Sequence, residues 1–276
     1  MEGADADVRV DQERLDRLFR GEYRLNAFAC LRQGWGLFRQ EPGKYIGFTL
    51  LLFLCFTVLY LPVQLITGQL HIPEAVNGSL EFLVTVLSLL SVVASFPLFA
   101  GFYVFSLRRL AGQNPGFGDF FRGFGFFLPL LLSALLRGLI IFLLQFPILL
   151  LGLYAGIQIY VNHAGGVPSQ SMNDELLLIG GIMLLTAVSV FFGIIYMFTE
   201  LLIINQRMNF WQAMEASRKV AMRHWFSLLW FLVVLLGVNF LGMIPMALGL
   251  LVTTPVIFCA ITVAYRDIFG SSGTGW

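Results

Sequence analysis

The chain of 276 residues is 58% hydrophobic and only 12% charged, with a mean hydropathy of +0.82. A soluble domain keeps roughly a quarter of its residues charged, so half that fraction beside 28 phenylalanines turns most of the surface toward lipid. The net charge of +1 conceals a strong segregation along the chain, and no nucleic-acid partner is expected.

Residues 1–25 mix acids and bases, among them Asp5, Arg9, Asp11, Arg14 and Arg20, and read as a solvated tail with a short helix around Gln12–Phe19. So polar a beginning leaves no cleavable signal peptide. From Asn26 to Arg39, Leu31, Trp35 and Phe38 recur at helical spacing beside Arg32 and Arg39, until the segment Glu41-Pro42-Gly43-Lys44 breaks the helix. The apolar run Tyr45–Thr67 is long enough for a bilayer core that takes about 20 helical residues. A loop at 68–80 without Lys or Arg leads to a second run, Phe82–Leu107, closed by Arg108 and Arg109.

After a turn at 112–118, Phe117, Phe120, Phe121 and Phe124 fall at i, i+3, i+4 and i+7, with Asp119 and Arg122 off that stripe. The pattern predicts another interfacial helix. The run Phe126–Tyr160 is apolar apart from Arg137, Gln145 and Gln158, and is too long for one untilted span; it takes in part of the interfacial helix and an extension past Pro147. A loop at 161–175 again lacks Lys and Arg, and the fourth run, Leu176–Ile204, carries Glu200 near its end. Residues 205–224 form a basic amphipathic connector, and 225–265 a last hairpin that turns near Pro245.

The charges order these spans. Of 17 Lys and Arg, eight precede the first span and three (Arg108, Arg109, Arg122) lie between the second and third. Four more (Arg207, Arg218, Lys219, Arg223) lie between the fourth and fifth, Arg266 follows the sixth, and only Arg137 sits inside a span. By the positive-inside rule both termini are cytoplasmic. The expected fold is an all-α integral membrane protein of six transmembrane helices in three pseudo-repeats, about 26–109, 116–206 and 209–268, flanked by tails at 1–25 and 269–276.

Each unit runs interfacial amphipathic helix, span, span. The first spans carry Pro62, Pro147 and Pro245, sites of expected kinks. In the returning spans Pro97 stands eleven residues before Arg108 and Pro255 eleven before Arg266, while the second unit has Tyr196 at that offset before Arg207.

The segments FACLRQGWGLFRQEPGKY and FWQAMEASRKVAMRHW, each followed by a span and then a returning span that ends in LRRLAG or YRDIFG, carry a resemblance. Over roughly residues 26–270 the chain resembles bacterial polytopic inner-membrane proteins of unknown function. These share their architecture with the membrane domain of glycerophosphoryl diester phosphodiesterases. The resemblance implies a bacterial inner membrane and a link to lipid metabolism. It transfers no catalytic residue, because that chemistry belongs to a separate soluble domain.

Charges within spans are costly and are usually paired or functional. Arg137 and Glu200 both fall in the cytoplasmic half, at depths that meet if spans three and four are antiparallel; snorkelling to the interface is the alternative. Gln145 and Asn239 complete a candidate intramembrane polar set, with interhelical hydrogen bonding as the ordinary explanation. Candidate interfacial lipid contacts are Trp35, Arg39, Phe120, Phe121, Arg122, Trp211, Arg218, Lys219, Arg223 and Trp225. Cys30, Cys55 and Cys259 read as small hydrophobes, and the spacing of His71, Glu74, His163, Asp174 and Glu175 fits no zinc signature. No cofactor, metal or catalytic residue is expected. The expected activity is binding or movement of lipids or other amphiphiles, with membrane phospholipids as partners. A structural or assembly role with another envelope protein, or self-association, is the alternative; a membrane enzyme is disfavoured.

Overall fold

The computed structural model of the chain describes residues 25–69, 74–164, 172–244 and 248–270, and among them only helices and short connections occur. In chain order these are α1 (Ala27–Phe38), α2 (Pro42–Gln69), α3 (Glu74–Leu110), a 3-10 helix η1 (Phe117–Phe126), α4 (Phe127–Ala164), α5 (Met172–Ile195), α6 (Thr199–Gln206), α7 (Phe210–Arg223), α8 (Trp225–Met243) and α9 (Leu250–Phe269). Five helical stretches are long and apolar enough to cross a membrane, and the bent pair α1–α2 makes a sixth when taken as one span. The tail helix expected around Gln12–Phe19 and the turn at Pro245 lie outside the described residues.

The Asn26 side chain opens α1 by accepting a hydrogen bond from the Ala29 amide at 3.1 Å, which satisfies one of the free donors of the first turn. Cys30, Gly34, Leu37 and Phe38 then line its buried face. The axis turns by 93° into α2. The break falls just before Pro42, which starts α2 at a position where its missing N–H costs nothing. At 37 and 38 residues, α3 and α4 are about 55 Å long, nearly twice a bilayer core of about 30 Å. Helix therefore replaces much of the outer loops expected at 68–80 and 161–175. Pro97, Pro147 and Pro255 all lie within continuous helices. At the other end of the chain α9 runs to Phe269, whose ring packs on Phe198 and Tyr265, so the helical domain reaches one residue into the expected tail.

The phenylalanine stripe at 117–124 departs from its expected geometry. Residues 117–126 form a 3-10 helix, in which side chains three apart eclipse. Phe120 and Gly123 thus share one inward face, while Phe121 and Phe124 share an outward one. The Phe120 ring stacks between Phe48 and Phe105, at 4.2 Å from each centroid.

The core gathers where the inner ends of α3, α6 and α9 meet. Phe102, Phe105, Leu201, Leu202 and Tyr265 are fully buried there. Tyr45 Oη and Ser106 Oγ share a hydrogen bond at 2.9 Å, and Asn205 Nδ2 donates to Tyr265 Oη at 3.1 Å. Three short helices seat on these returning helices: α1 on α9, η1 on α3, and α7 on α6. Each seat uses a small residue. Gly34 lies so near α9 that a Cβ would stand 2.7 Å from Ala260 Cα, and a Cβ on Gly123 would overlap the Pro97 carbonyl oxygen. Ser217 of α7 donates to the Ile195 carbonyl at 2.7 Å and accepts from the Phe198 amide at 3.3 Å. It thereby bridges the break that separates α5 from α6. With Asn26 laid on Asn209, which precede α1 and α7, the buried residues Cys30, Gly34, Leu37 and Phe38 fall on Ala213, Ser217, Val220 and Ala221, all buried.

These seats leave no room for growth. Gly123→Ala is expected to destabilise the protein by about 1–3 kcal/mol through overpacking against backbone. Gly138→Ala, in α4 with nothing within 4 Å of its added Cβ, should be neutral or mildly stabilising. Unfolding of the two variants in the same detergent checks this, and equal stabilities would refute the seat on Pro97.

Candidate functional site

A concavity lies where η1 hands over to α4 and α6 hands over to α7. On one side Phe126 ends η1, and Leu128, Pro129 and Leu132 project from the first turns of α4. On the other, α6 ends at Gln206, and Arg207 adopts a left-handed conformation (φ 50°) that turns the chain toward Phe210 at the head of α7. The space between has a volume of about 710 Å³. Its wall is apolar, and Leu128 and Leu132 are exposed on the outer flank of the bundle, so the groove opens sideways. Arg122 and Arg207 stand at its rim.

The rim is electrically unbalanced. Asp119 pairs with Arg108 and with Arg122, the latter at 2.7 Å, and also accepts from the Gly116 amide at 2.7 Å. One carboxylate thus serves two guanidinium groups, while Arg207 forms no ion pair among the described residues. An arginine held left-handed costs roughly 1–2 kcal/mol relative to ordinary helix, which only the surrounding packing can sustain. Groove and charge together can hold an anion at the rim and an apolar chain along the wall.

Arg137 and Glu200 do meet. Arg137 Nη2 lies 3.6 Å from Glu200 Oε1, joining α4 to α6, with each side chain about one-quarter exposed. Gln145 and Asn239 do not join them. Gln145 Nε2 donates to Ser189 Oγ at 2.8 Å and to the Leu185 carbonyl at 3.2 Å, tying α4 to α5. Asn239 Oδ1 accepts from Thr253 Oγ1 at 3.5 Å between α8 and α9. The expected polar set is thus three separate interhelical ties. A smaller cleft of about 240 Å³, bounded by Ile140, Tyr196 and Trp211, lies one helical turn from the ion pair.

Among the interfacial candidates, Trp211 (62% exposed), Trp35 (43%) and Phe121 (40%) present their rings outward. Arg39 and Arg223 are exposed, and Trp225 is half-buried against Phe191. Phe120 is a correction: it is completely buried in the aromatic stack, so it has no surface to offer lipid. Arg218 and Lys219 share Glu215, at 2.8 and 3.5 Å. The Arg218 hydrogen bond, assisted by Lys219, holds that carboxyl below the usual range. Burial of Cys30 on α1, with Asp267 nearby, pushes its thiol up to about 11, so it stays protonated and unreactive at neutral pH. The side chains of His71, Glu74, His163, Asp174 and Glu175 lie outside the described residues.

No family model, curated protein or solved structure matches the chain. Sequence reasoning placed Arg207 in the basic connector but did not single it out, because a left-handed arginine leaves no mark in composition. Asp119, the carboxylate that fixes Arg122, was visible only as a charge off the stripe.

The Arg137–Glu200 contact should behave as a coupled pair. Replacing one partner leaves the other charge unsatisfied, at a cost of about 3 kcal/mol. Arg137→Gln and Glu200→Gln should each lower stability, and the double variant should lose less than the two losses added. Unfolding titrations of the four proteins in bicelles measure the coupling; strict additivity would show that the two charges act independently.

Proposed function

We propose that the protein is a six-span bacterial inner-membrane protein with both termini cytoplasmic, and that it binds membrane phospholipid at its cytoplasmic end. The observation that carries this reading is the groove that opens sideways between α4 and the α6–α7 turn, apolar along its wall and cationic at its rim. Its depth fits: the groove lies at the basic end of the bundle, the end that the positive-inside rule assigns to the cytoplasm. Lys and Arg gain about 1 kcal/mol each beside an anionic leaflet. The outward rings of Trp35, Phe121 and Trp211 suit the headgroup level.

Three pseudo-repeats form part of the proposal. The seating of α1 on α9, η1 on α3 and α7 on α6 follows a cyclic order, each interfacial helix resting on the returning helix of the preceding unit. The matching of α1 and α7 buried positions supports it. On this reading the second unit is the variant one: it has Tyr196 where the others have proline, and its returning helix is broken there.

An assembly role with another envelope protein is the second reading. It is favoured by the thin packing of the two spans that include α4 and α5, each with 11% of its apolar window buried.

Native mass spectrometry of the protein released gently from its own membrane decides between them. Lipid binding predicts one phospholipid class retained at fixed stoichiometry. Retention of a second polypeptide with only loosely held, mixed lipid would reject lipid binding in favour of assembly.

A further inference from the structure

We infer that the groove holds the phosphate of a single anionic phospholipid, gripped between Arg207 and Arg122, with an acyl chain laid along Phe126, Leu128, Leu132 and Phe210. This inference rests on the lipid-binding reading and assigns that reading a place and a headgroup chemistry.

The two arginines have different tasks. Arg122 is oriented by Asp119, which already holds its Nε at 2.7 Å, so it presents a fixed guanidinium edge. Arg207 has no carboxylate partner among the described residues, and its left-handed backbone fixes where its side chain departs from the chain. Arg122 and Arg207 line the groove, and the one carboxylate that holds Arg122, Asp119, is shared with Arg108, so the rim keeps an excess of positive charge. The phosphate diester of phosphatidylglycerol supplies one negative charge with no headgroup cation to offset it, whereas choline offsets it in phosphatidylcholine. A guanidinium pair suits phosphate because its donors match the phosphate oxygens two at a time. The first turn of α7 points the same way, since Asn209 makes no side-chain cap there and no acid occupies that turn. The apolar wall excludes a free phosphate as the intended ligand: a soluble anion would leave Phe126, Leu128, Leu132 and Phe210 lining an empty trough. In a bilayer those residues face the acyl region while the arginines face the headgroups, so the depth of each group matches a lipid lying in its own leaflet.

The test uses the full chain in neutral detergent, titrated with dioleoyl phosphatidylglycerol or dioleoyl phosphatidylcholine and followed by native mass spectrometry. Wild type should bind one phosphatidylglycerol at least about fivefold more tightly than phosphatidylcholine, the factor that one cation's gain of about 1 kcal/mol implies. Arg207→Asn, chosen because asparagine tolerates the left-handed conformation, should abolish that preference, and Arg207→Lys, which keeps the charge but not the paired donors, should keep only part of it. Leu132→Trp should weaken both lipids. Arg32→Gln, at an exposed arginine of α1 that does not line the groove, should change neither. Inorganic phosphate at millimolar concentration should not displace the lipid; full displacement would overturn the acyl-chain part of the assignment. If Arg207→Asn and Arg122→Gln both bind phosphatidylglycerol as wild type does, the groove is wrong while lipid binding stands. If wild type itself retains neither lipid, both fail. Unfolding temperatures of the variants, expected within a few degrees of wild type, separate loss of binding from loss of fold.

Discussion

Close approach of helix to helix at three small residues holds this fold together. Two apolar helices surrounded by lipid gain nothing from leaving water, so their association depends on packing and on hydrogen bonds that lipid cannot supply. Gly34 against Ala260, Gly123 against Pro97 and Gly101, and Ser217 against the Ile195–Phe198 turn meet that demand. Each of these contacts anchors a short helix to a returning one, and the buried residues concentrate around them. Farther out the packing thins, and the two long central stretches expose most of their apolar windows.

The break between α5 and α6 shows what such a contact permits. Within hydrocarbon every backbone polar group needs a partner, so a helix can be interrupted only where something else satisfies the freed groups. The Ser217 hydroxyl does both tasks, donating to Ile195 and accepting from Phe198. The redirected α6 carries Glu200 to Arg137 and ends at Gln206, just before Arg207. A glycine at this place, as at Gly34 of α1, would give the same close approach but leave the Phe198 amide without its acceptor. The ion pair and the rim arginine of the groove thus both depend on one serine of a neighbouring helix.

The spans, the interfacial faces of α1 and α7 and the segregation of charge were legible because each rests on a period or a count along the chain. The Arg137–Glu200 pair was legible for the same reason: in an antiparallel hairpin, depth follows from distance to the ends. Phe120 was not. Its stripe fits a period of 3.6, and only tight seating of Gly123 on α3 selects a period of three and turns that ring inward. The interruption at Tyr196 carries no proline to announce it. The groove was hidden most deeply, since its two sides lie some eighty residues apart and meet only when α4 packs beside α6 and α7.

The two classes of arginine are separated by depth, and the separation explains their different company. Arg137 lies within an apolar run, where an unpaired charge is expensive, and it is met by Glu200. Arg207 lies just past the end of a helix and is exposed, and a charge there can stay unneutralised at little cost. One helix connects them. Leu128 and Leu132 of α4 form the groove wall, and Arg137 stands a little over one turn beyond Leu132 on the same helix. Because α4 is so sparsely packed, the tie from Arg137 to Glu200 and the ties from Gln145 to Ser189 and Leu185 set where it stands. The intramembrane pair therefore acts on the groove at a distance. It fixes the wall of the groove, and it leaves the charge at the rim to Arg122 and Arg207.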